Sequence, residues 1–213
     1  MDGDGTSARA FKAPLINGRH VQLRPVMPDD YRFLRLLDGQ SELGVRWRFR
    51  GTTPSPEEWA RSIWQMVLAQ FVVVRVNDHE PIGLVMVYKP SFQDKHAYLG
   101  AARFNLRERS PLMVLGTALF VEYVFTCWDF HKLYLELPEY NLSQFAQGLD
   151  RLFVVEGRLR EHFWYDGGLW DEVILALYRT TWREQATRVL AAEVPRQERV
   201  VRVRMPNPKV VVH

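Results

Sequence analysis

The feature that most constrains the fold is the stretch LMVLGTALFVEYVFTCW at 112–128, which is apolar on nearly every side of a helix. Such a helix is stable only where other parts of the chain cover it. It is shorter than the roughly 18 consecutive apolar residues that indicate a membrane span. We therefore expect a buried central helix, with Cys127 in the core and Gly116 at a point of close packing.

Strand and helix patterns flank this central helix. Before it, hydrophobic periodicity predicts a strand at 20–26, helices at 27–39 and 53–70, and three antiparallel strands at 71–77, 81–89 and 95–105. After it, the patterns predict a strand at 132–139, a short helix at 142–151, and a hairpin followed by a helix over 153–182. The order predicts the α+β fold class, with one mixed, mostly antiparallel sheet flanked by helices.

Composition limits the class of protein. Hydrophobic residues make up 47% and charged residues 25% of the chain, as in ordinary globular proteins. The first ten residues, MDGDGTSARA, lack the basic and apolar regions of a secretory signal, and a single cysteine cannot form an internal disulfide. We therefore expect a cytoplasmic protein. The histidines show no metal-ligand spacing, so we expect no metal.

The chain divides into three parts by pattern. Residues 1–17 lack periodicity and are expected to be a flexible N-terminus, 18–184 form the folded domain, and 185–213 hold a helix end and a basic tail. The tail alternates Val with Arg over 200–204, like an edge strand that would join a neighbour's sheet and form a homodimer.

The charge balance is mild, at +3 with a pI of about 9.1. Nucleic-acid binding needs basic residues gathered on one face, so we do not expect it from this balance. The segment RWRFR at 46–50 is a local exception. Its Arg46, Arg48 and Arg50 could meet an acidic substrate or a carrier protein, or could simply be a solvated segment.

Three stretches together resemble one known family. They are INGRHVQLRPVMPDD, VEYVFTCWDFHKLYLELPEYN and FVVEGRLREHFWYDGGLWDEVILALYRTTW, and the third is the most specific. In order and motifs they resemble the GNAT superfamily of N-acyltransferases, in its RimJ/RimL-like (ribosomal-protein alanine acetyltransferase) branch. The resemblance spans roughly 18–183.

The resemblance implies a sheet splayed between its fourth and fifth strands, 95–105 and 132–139. It implies that acetyl-CoA or another acyl-CoA is the co-substrate, lying in this gap with its pantetheine arm paired to strand backbone. The backbone of Ala102, Arg103 and Phe104 would make that contact. The amine acceptor would approach from the opposite side, and the pyrophosphate would lie at the start of the central helix.

The phosphate loop of the family departs from its pattern here. Aligned on Gly100 and His131, the pattern Arg/Gln-x-x-Gly-x-Gly/Ala has Glu108, Pro111 and Met113 at its consensus positions. An alternative alignment on Gly116 would lie over a turn inside the helix. The remaining candidates for holding phosphate are the side chains and backbone of Arg107, Arg109, Ser110, Leu112 and Met113.

The catalytic candidates each have a plainer alternative. The tyrosine that serves as general acid in the family aligns with Gly148, so this chain lacks that acid. Asn141 matches the family's Asn, which orients cofactor or water, but it could also be a helix N-cap. Tyr98, with His96 on the same strand face, could face the gap or the core. Glu136 could be a general base, or it could lie with Tyr134 on a solvent-exposed face of the strand.

Two functions follow from these residues. The first is an N-acyltransferase that moves an acyl group, acetyl by preference, from CoA to a primary amine of a small molecule or protein. The alternative is a GNAT-fold protein whose degraded phosphate loop leaves it to bind a non-CoA ligand or to take an acyl group from a carrier protein.

Overall fold

Eight strands form one mixed sheet within residues 16–38, 49–105, 111–144 and 149–192, which the computed structural model describes. The strand order is β1-β2-β3-β4-β5-β6-β8-β7. The strands are β1 (Ile16–Asn17), β2 (Val21–Pro25), β3 (Val67–Arg75), β4 (Pro81–Ser91), β5 (His96–Arg103), β6 (Lys132–Pro138), β7 (Val154–Tyr165) and β8 (Gly168–Tyr178). The predicted α+β class and hairpins are confirmed, and the predicted tail at 185–213 lies largely outside the described residues.

Helices lie on both faces of this sheet. They are α1 (Tyr31–Asp38), α2 (Pro56–Ser62), α3 (Leu112–Cys127), α4 (Leu149–Leu152) and α5 (Arg179–Leu190), with 3₁₀ turns at Pro28–Asp30 and Glu139–Gln144. None of the helices in the described part of the chain is long and apolar enough to cross a membrane.

The second helix starts as predicted but ends early. Ser55 and Glu58 form a capping box, each side chain accepting the other's backbone N–H at 3.2 Å. The prediction of a helix through residue 70 is wrong, because α2 ends at Ser62. Met66 has a φ of 56°, which breaks the helix, and Val67 already pairs with Tyr88 in the sheet.

The sheet splays where the resemblance placed the gap. Strands β5 and β6, the predicted fourth and fifth strands, pair in parallel only at His96–Lys132, Ala97–Leu133 and Tyr98–Tyr134. Beyond Tyr98, β5 continues along β4, whereas β6 continues along β8 beyond Tyr134. A gap therefore opens between the two strands from this point.

The central helix α3 is buried against one face of the sheet. Phe120 and Val124 are fully buried, and a Cβ placed on Gly116 would lie 2.5 Å from Cγ1 of Val73. The close packing predicted for Gly116 is thus confirmed. The core position predicted for Cys127 is wrong, because this last residue of α3 is exposed and its thiol contacts Tyr123, one turn earlier.

Helix α5 ties the end of the chain to the end of α3. Trp182 is 2% exposed, and its indole N–H donates to the Glu122 carboxylate at 2.7 Å. Arg179 donates to the carbonyl of Phe125 at 2.6 Å and also to those of Trp128 and Phe130. The Phe125 carbonyl lies in the last turn of α3, where backbone acceptors lack helical partners, and the other two carbonyls follow the helix.

Helices α1 and α2 cover part of the other face of the sheet. Helices α1 and α2 pack Leu34, Trp59 and Ile63 onto Val72 and Leu84 of β3 and β4. No described helix packs on the same face of β5, β6 and β8. That part of the face carries the polar and aromatic side chains that form the candidate site.

Candidate functional site

The backbone of β5 beyond Tyr98 lines one side of the gap. The Phe104 N–H donates to the Ile82 carbonyl at 3.0 Å, and strand alternation then directs the backbone groups of Ala102 toward β4 as well. Those of Ala101 and Arg103 point toward the gap. Of the three residues predicted to make backbone contacts, Arg103 directs its backbone groups toward the gap. Ala102 and Phe104 could reach a ligand only through their side chains.

Ala101 is therefore a gap-lining residue that the sequence prediction omitted. The signal that could have found it is the same alternation, because in an antiparallel pair every second residue turns its N–H and C=O away from the partner strand. Applying it requires the register between β4 and β5, which pairs Val85 with Ala101.

Helix α3 begins at the edge of this gap. Pro111 precedes it with φ −71° and ψ −8°, and the Pro111 side chain makes no capping hydrogen bond. Met113 is 7% exposed, and its sulfur fills the space beside Gly83, so only its backbone N–H can serve an anion. Leu112 packs partly on the core. Arg107, Arg109 and Ser110 lie outside the described residues, as do Glu108 and Gly148.

Asn141 follows β6 at the open end of the gap. It lies inside the 3₁₀ turn Glu139–Gln144, so the N-cap interpretation is wrong. Its Oδ1 atom is buried and has no hydrogen-bond partner among the described residues. A buried acceptor without a donor is costly, so this atom is suited to receive an N–H or O–H from a bound molecule.

A group of side chains on the uncovered face forms what we call the tyrosine–glutamate cluster. Its members are Tyr88 of β4, Tyr98 of β5, Tyr134 and Glu136 of β6, and Glu172 of β8. The Tyr98 ring centroid lies 5.6 Å from that of Tyr88 and 5.4 Å from that of Tyr134. Tyr98 is thus on this face at the start of the gap and not in the core, and His96 shares the face, as predicted.

Glu136 is half-buried within the cluster. Burial raises the pKa of this carboxyl group, and the nearby charge of Glu172 raises it further, while Lys89 and His162 act in the opposite direction. A carboxylate with a raised pKa is a better proton acceptor than an ordinary glutamate. The raised pKa therefore favours the interpretation of Glu136 as a general base over its interpretation as part of a solvent-exposed polar face.

Tyr88 and Tyr98 remain protonated at neutral pH. Burial, followed by the charge of Glu136, raises the pKa of Tyr88 to about 12 and raises the pKa of Tyr98 in the same direction. Each phenol can therefore donate a hydrogen bond or a proton. Tyr98 is the one placed where the gap begins.

Glu172 was not anticipated from the sequence. Its side chain is only 8% exposed and lies 3.3 Å from Nε2 of His162 on β7. Strand β8 is paired so that Ile174 stands opposite Glu136, which brings Glu172 diagonally across from it on the same face. Finding this pair requires the register of β6 with β8, which no local pattern supplies.

We expect Glu172→Gln to lower the pKa of Glu136, because the substitution removes a like charge while the amide can still accept from His162. The measurement is a carboxyl-carbon NMR titration of the folded protein. Asp171→Asn is the control, since Asp171 points to the other face and pairs with Arg158. An unchanged titration of Glu136 in Glu172→Gln would show that the two carboxylates do not interact.

A third carboxylate, outside the cluster, holds its closed end in place. Glu156 accepts from Lys132 at 2.8 Å and from Tyr134 at 3.0 Å, and it also accepts from Tyr178. Burial opposes its ionisation, but these donors outweigh it and lower the pKa of Glu156. The network fixes the Tyr134 ring beside Tyr98.

The segment before α2 reaches the β7–β8 hairpin. Arg50 places its guanidinium 4.1 Å from the ring centroid of Phe163 on β7. This is the one arginine of the predicted basic segment that the structure describes, since Arg46 and Arg48 lie outside the described residues.

Within the described ranges, no three His, Cys, Asp or Glu side chains come together as a metal-ligand set. The site thus consists of a splayed sheet, the start of helix α3 beside the gap, and an aromatic and acidic face. A sheet splayed between these two strands, with its buried helix between them in sequence, defines the GNAT fold.

Comparison with known proteins agrees with this fold. Spermidine N-acetyltransferase from Vibrio cholerae in complex with CoA and spermine is 18% identical, with a TM-score of 0.63, covering 77% of this chain and 98% of that one. A GCN5-related N-acetyltransferase from Brucella melitensis is 17% identical, with a TM-score of 0.64, covering 84% and 85%. A probable GNAT-family acetyltransferase from Chromobacterium violaceum is 17% identical, with a TM-score of 0.64, covering 86% and 96%.

The sequence itself has no such match. No protein-family model matches the chain, and no curated protein matches it. The structural likeness, at identities below one fifth, shows that the chain has the GNAT fold.

Proposed function

We propose that the protein is an N-acyltransferase that moves an acyl group, acetyl by preference, from CoA to a primary amine of a small molecule or protein. The observation that carries the proposal is Glu136, a half-buried carboxyl group of raised pKa on the uncovered face beside the gap. Acyl transfer needs a base of this kind, because the acceptor amine must lose a proton before it attacks.

The residues present fit a CoA thioester. Backbone groups of Ala101 and Arg103 point into the gap, and the orphan Oδ1 of Asn141 lies at its open end. Bound acyl-CoA would supply a thioester carbonyl for the amine to attack. Asn141 would accept a hydrogen bond from the donor or from a water, Glu136 would take the amine's proton, and Tyr98 would protonate the leaving thiolate.

The acceptor class follows from the cluster. Two carboxylates and three phenol rings face the same space, and such surfaces favour cationic amines through charge and cation–π contacts. The Vibrio cholerae structure was solved with spermine. We therefore propose polyamines as the first acceptors to test. We also propose that the protein belongs to the RimJ/RimL-like branch, whose members act on protein N-termini.

A carrier-protein donor is the second candidate. Pro111 stands where the family's loop has glycine and offers no N–H to a phosphate. A phosphopantetheine arm delivered by a carrier protein would still use the gap without using this loop, and the exposed Arg50 faces a side from which an acidic carrier could approach. Homodimer formation through the basic tail also stays a prediction, since the tail lies outside the described residues.

Titration calorimetry separates the two donors. We expect acetyl-CoA to bind at least about tenfold more tightly, or about 1.4 kcal/mol, than pantetheine that lacks the nucleotide. That result would mean that the segment from Arg107 to Met113 still holds phosphate. Equal binding of both would favour the carrier protein, and binding of neither would contradict the acyltransferase proposal.

A further inference from the structure

Lys89 occupies an unusual position at the edge of the tyrosine–glutamate cluster. It follows Tyr88 on β4, and in a regular strand its side chain would point to the opposite face. Its φ of 45° and the register shift between Tyr88 and Ser91 break that alternation. The backbone is held in this shape because the Lys89 N–H donates to the Met66 carbonyl at 2.8 Å.

The side chain of Lys89 consequently lies over the cluster. Its Nζ atom is 5.2 Å from the ring centroid of Tyr98 and 5.8 Å from that of Tyr88. Its charge also acts on the Glu136 carboxyl group, so the amine and the carboxylate face the same space. Tyr98 is the residue at which the gap begins, and Lys89 is therefore an amine placed beside it.

The other described lysines have carboxylate partners. Lys95 pairs with Asp129 at 2.8 Å, and Lys132 pairs with Glu156 at 2.8 Å. No carboxylate of the described residues forms an ion pair with Lys89, whose side chain is exposed. Lys89 is thus the described lysine whose Nζ atom lies beside the gap and is not held by a carboxylate of the described residues, so it is the best placed of the three to react.

We propose that Lys89 is a self-acylation site, at which the chain transfers an acyl group from the donor in the gap to its own Nζ amine. The proposal rests on the proposed function, because it needs the same thioester. The ammonium first gives one proton to Glu136. The amine then attacks the thioester carbonyl, the N–C bond forms, the C–S bond breaks, and the second proton goes to the thiolate to give free thiol.

The product would change the site that made it. An amide at Lys89 carries no charge, so it would no longer counter the burial and like charge that raise the pKa of Glu136. It would also keep an acyl-bearing chain over Tyr98, where an external amine must approach. Self-acylation would thus slow transfer to other acceptors.

The test is incubation of the full-length protein with acetyl-CoA, followed by intact mass and peptide mapping of its five lysines, Lys12, Lys89, Lys95, Lys132 and Lys209. We expect one acetyl group per chain, located on Lys89, absent in Lys89→Arg and retained in Lys95→Arg. Lys95 is the matched control, because it is an exposed lysine on the β5 side of the turn that follows Lys89 in the same hairpin. In Glu136→Gln the modification should slow by about 10² or more.

Other outcomes overturn the proposal in distinguishable ways. Acetylation of Lys95 at the same rate, unaffected by Glu136→Gln, would mean uncatalysed chemistry. Binding of acetyl-CoA by calorimetry and release of CoA with spermine, while Lys89 stays unmodified, would refute self-acylation and leave the proposed function standing. Failure to bind acetyl-CoA or to transfer to any amine would refute both.

Discussion

Glu136→Gln is expected to lower kcat by about 10²–10⁴-fold at neutral pH, because the amide cannot take the proton of the acceptor amine. The affinity for the acyl donor should be unchanged, since the gap is lined by the backbone of β5 and by Asn141 and not by this carboxylate. The measurement is steady-state transfer from acetyl-CoA to spermine.

The pH dependence provides a second test of the same residue. A base works only when ionised, so wild-type activity should fall as the pH drops through the pKa of Glu136. Because burial and Glu172 raise that pKa, the fall should begin at a higher pH than for an ordinary glutamate. The Glu136→Gln profile should lack this limb.

Glu184→Gln serves as the control, because Glu184 is an exposed carboxylate on α5, which packs on the other face of the sheet. It should retain wild-type activity throughout the pH range. If Glu136→Gln stays within about threefold of wild type, a change far below the range expected for a general base, Glu136 is not the base.

Trp182→Ala is expected to lower the free energy of unfolding by about 3–5 kcal/mol, the usual cost of truncating a buried aromatic side chain. Trp182 is 2% exposed in the core between α3, α5 and the sheet, and its N–H bond to Glu122 is lost as well. That loss is a large part of the 5–15 kcal/mol, roughly, that stabilises a folded domain. Denaturant unfolding with linear extrapolation measures it.

Trp164→Ala is the matched control, because the Trp164 side chain is 66% exposed on β7. It should change the free energy of unfolding by less than about 0.5 kcal/mol. Equal effects of the two substitutions would show that α5 does not pack on the core as described.

The order of elements could be predicted because it depends on local patterns. The apolar run at 112–128, the capping residues Ser55 and Glu58, and the Asp166–Gly167 turn each carry their own signal, and the structure has a helix, a helix start and a hairpin turn there. The gap between the fourth and fifth strands was predicted from the family resemblance. Prediction failed where tertiary pairing overrides a pattern, as at Met66 and Val67, whose helical spacing gives way to pairing with β4.

The site was harder to predict, because its members meet only through strand register. Tyr98 and Glu136 were identified from their own strands, but Glu172 and His162 join Glu136 through the pairing of three strands. Lys89 reaches the cluster only because a left-handed backbone conformation reverses its direction. Neither fact leaves a trace in the spacing of residue types.

The three residue pairs that join β5 to β6 have a mechanical consequence. Because so few backbone bonds cross this seam, the two halves of the sheet are coupled chiefly by side chains. Among them are the Tyr98 and Tyr134 rings, whose centroids lie 5.4 Å apart, and the guanidinium of Arg179, which donates to the Phe125 carbonyl in the last turn of α3. A substitution at Arg179, on the α3 side of the sheet, would therefore alter the relative tilt of the halves and with it the width of the slot between them.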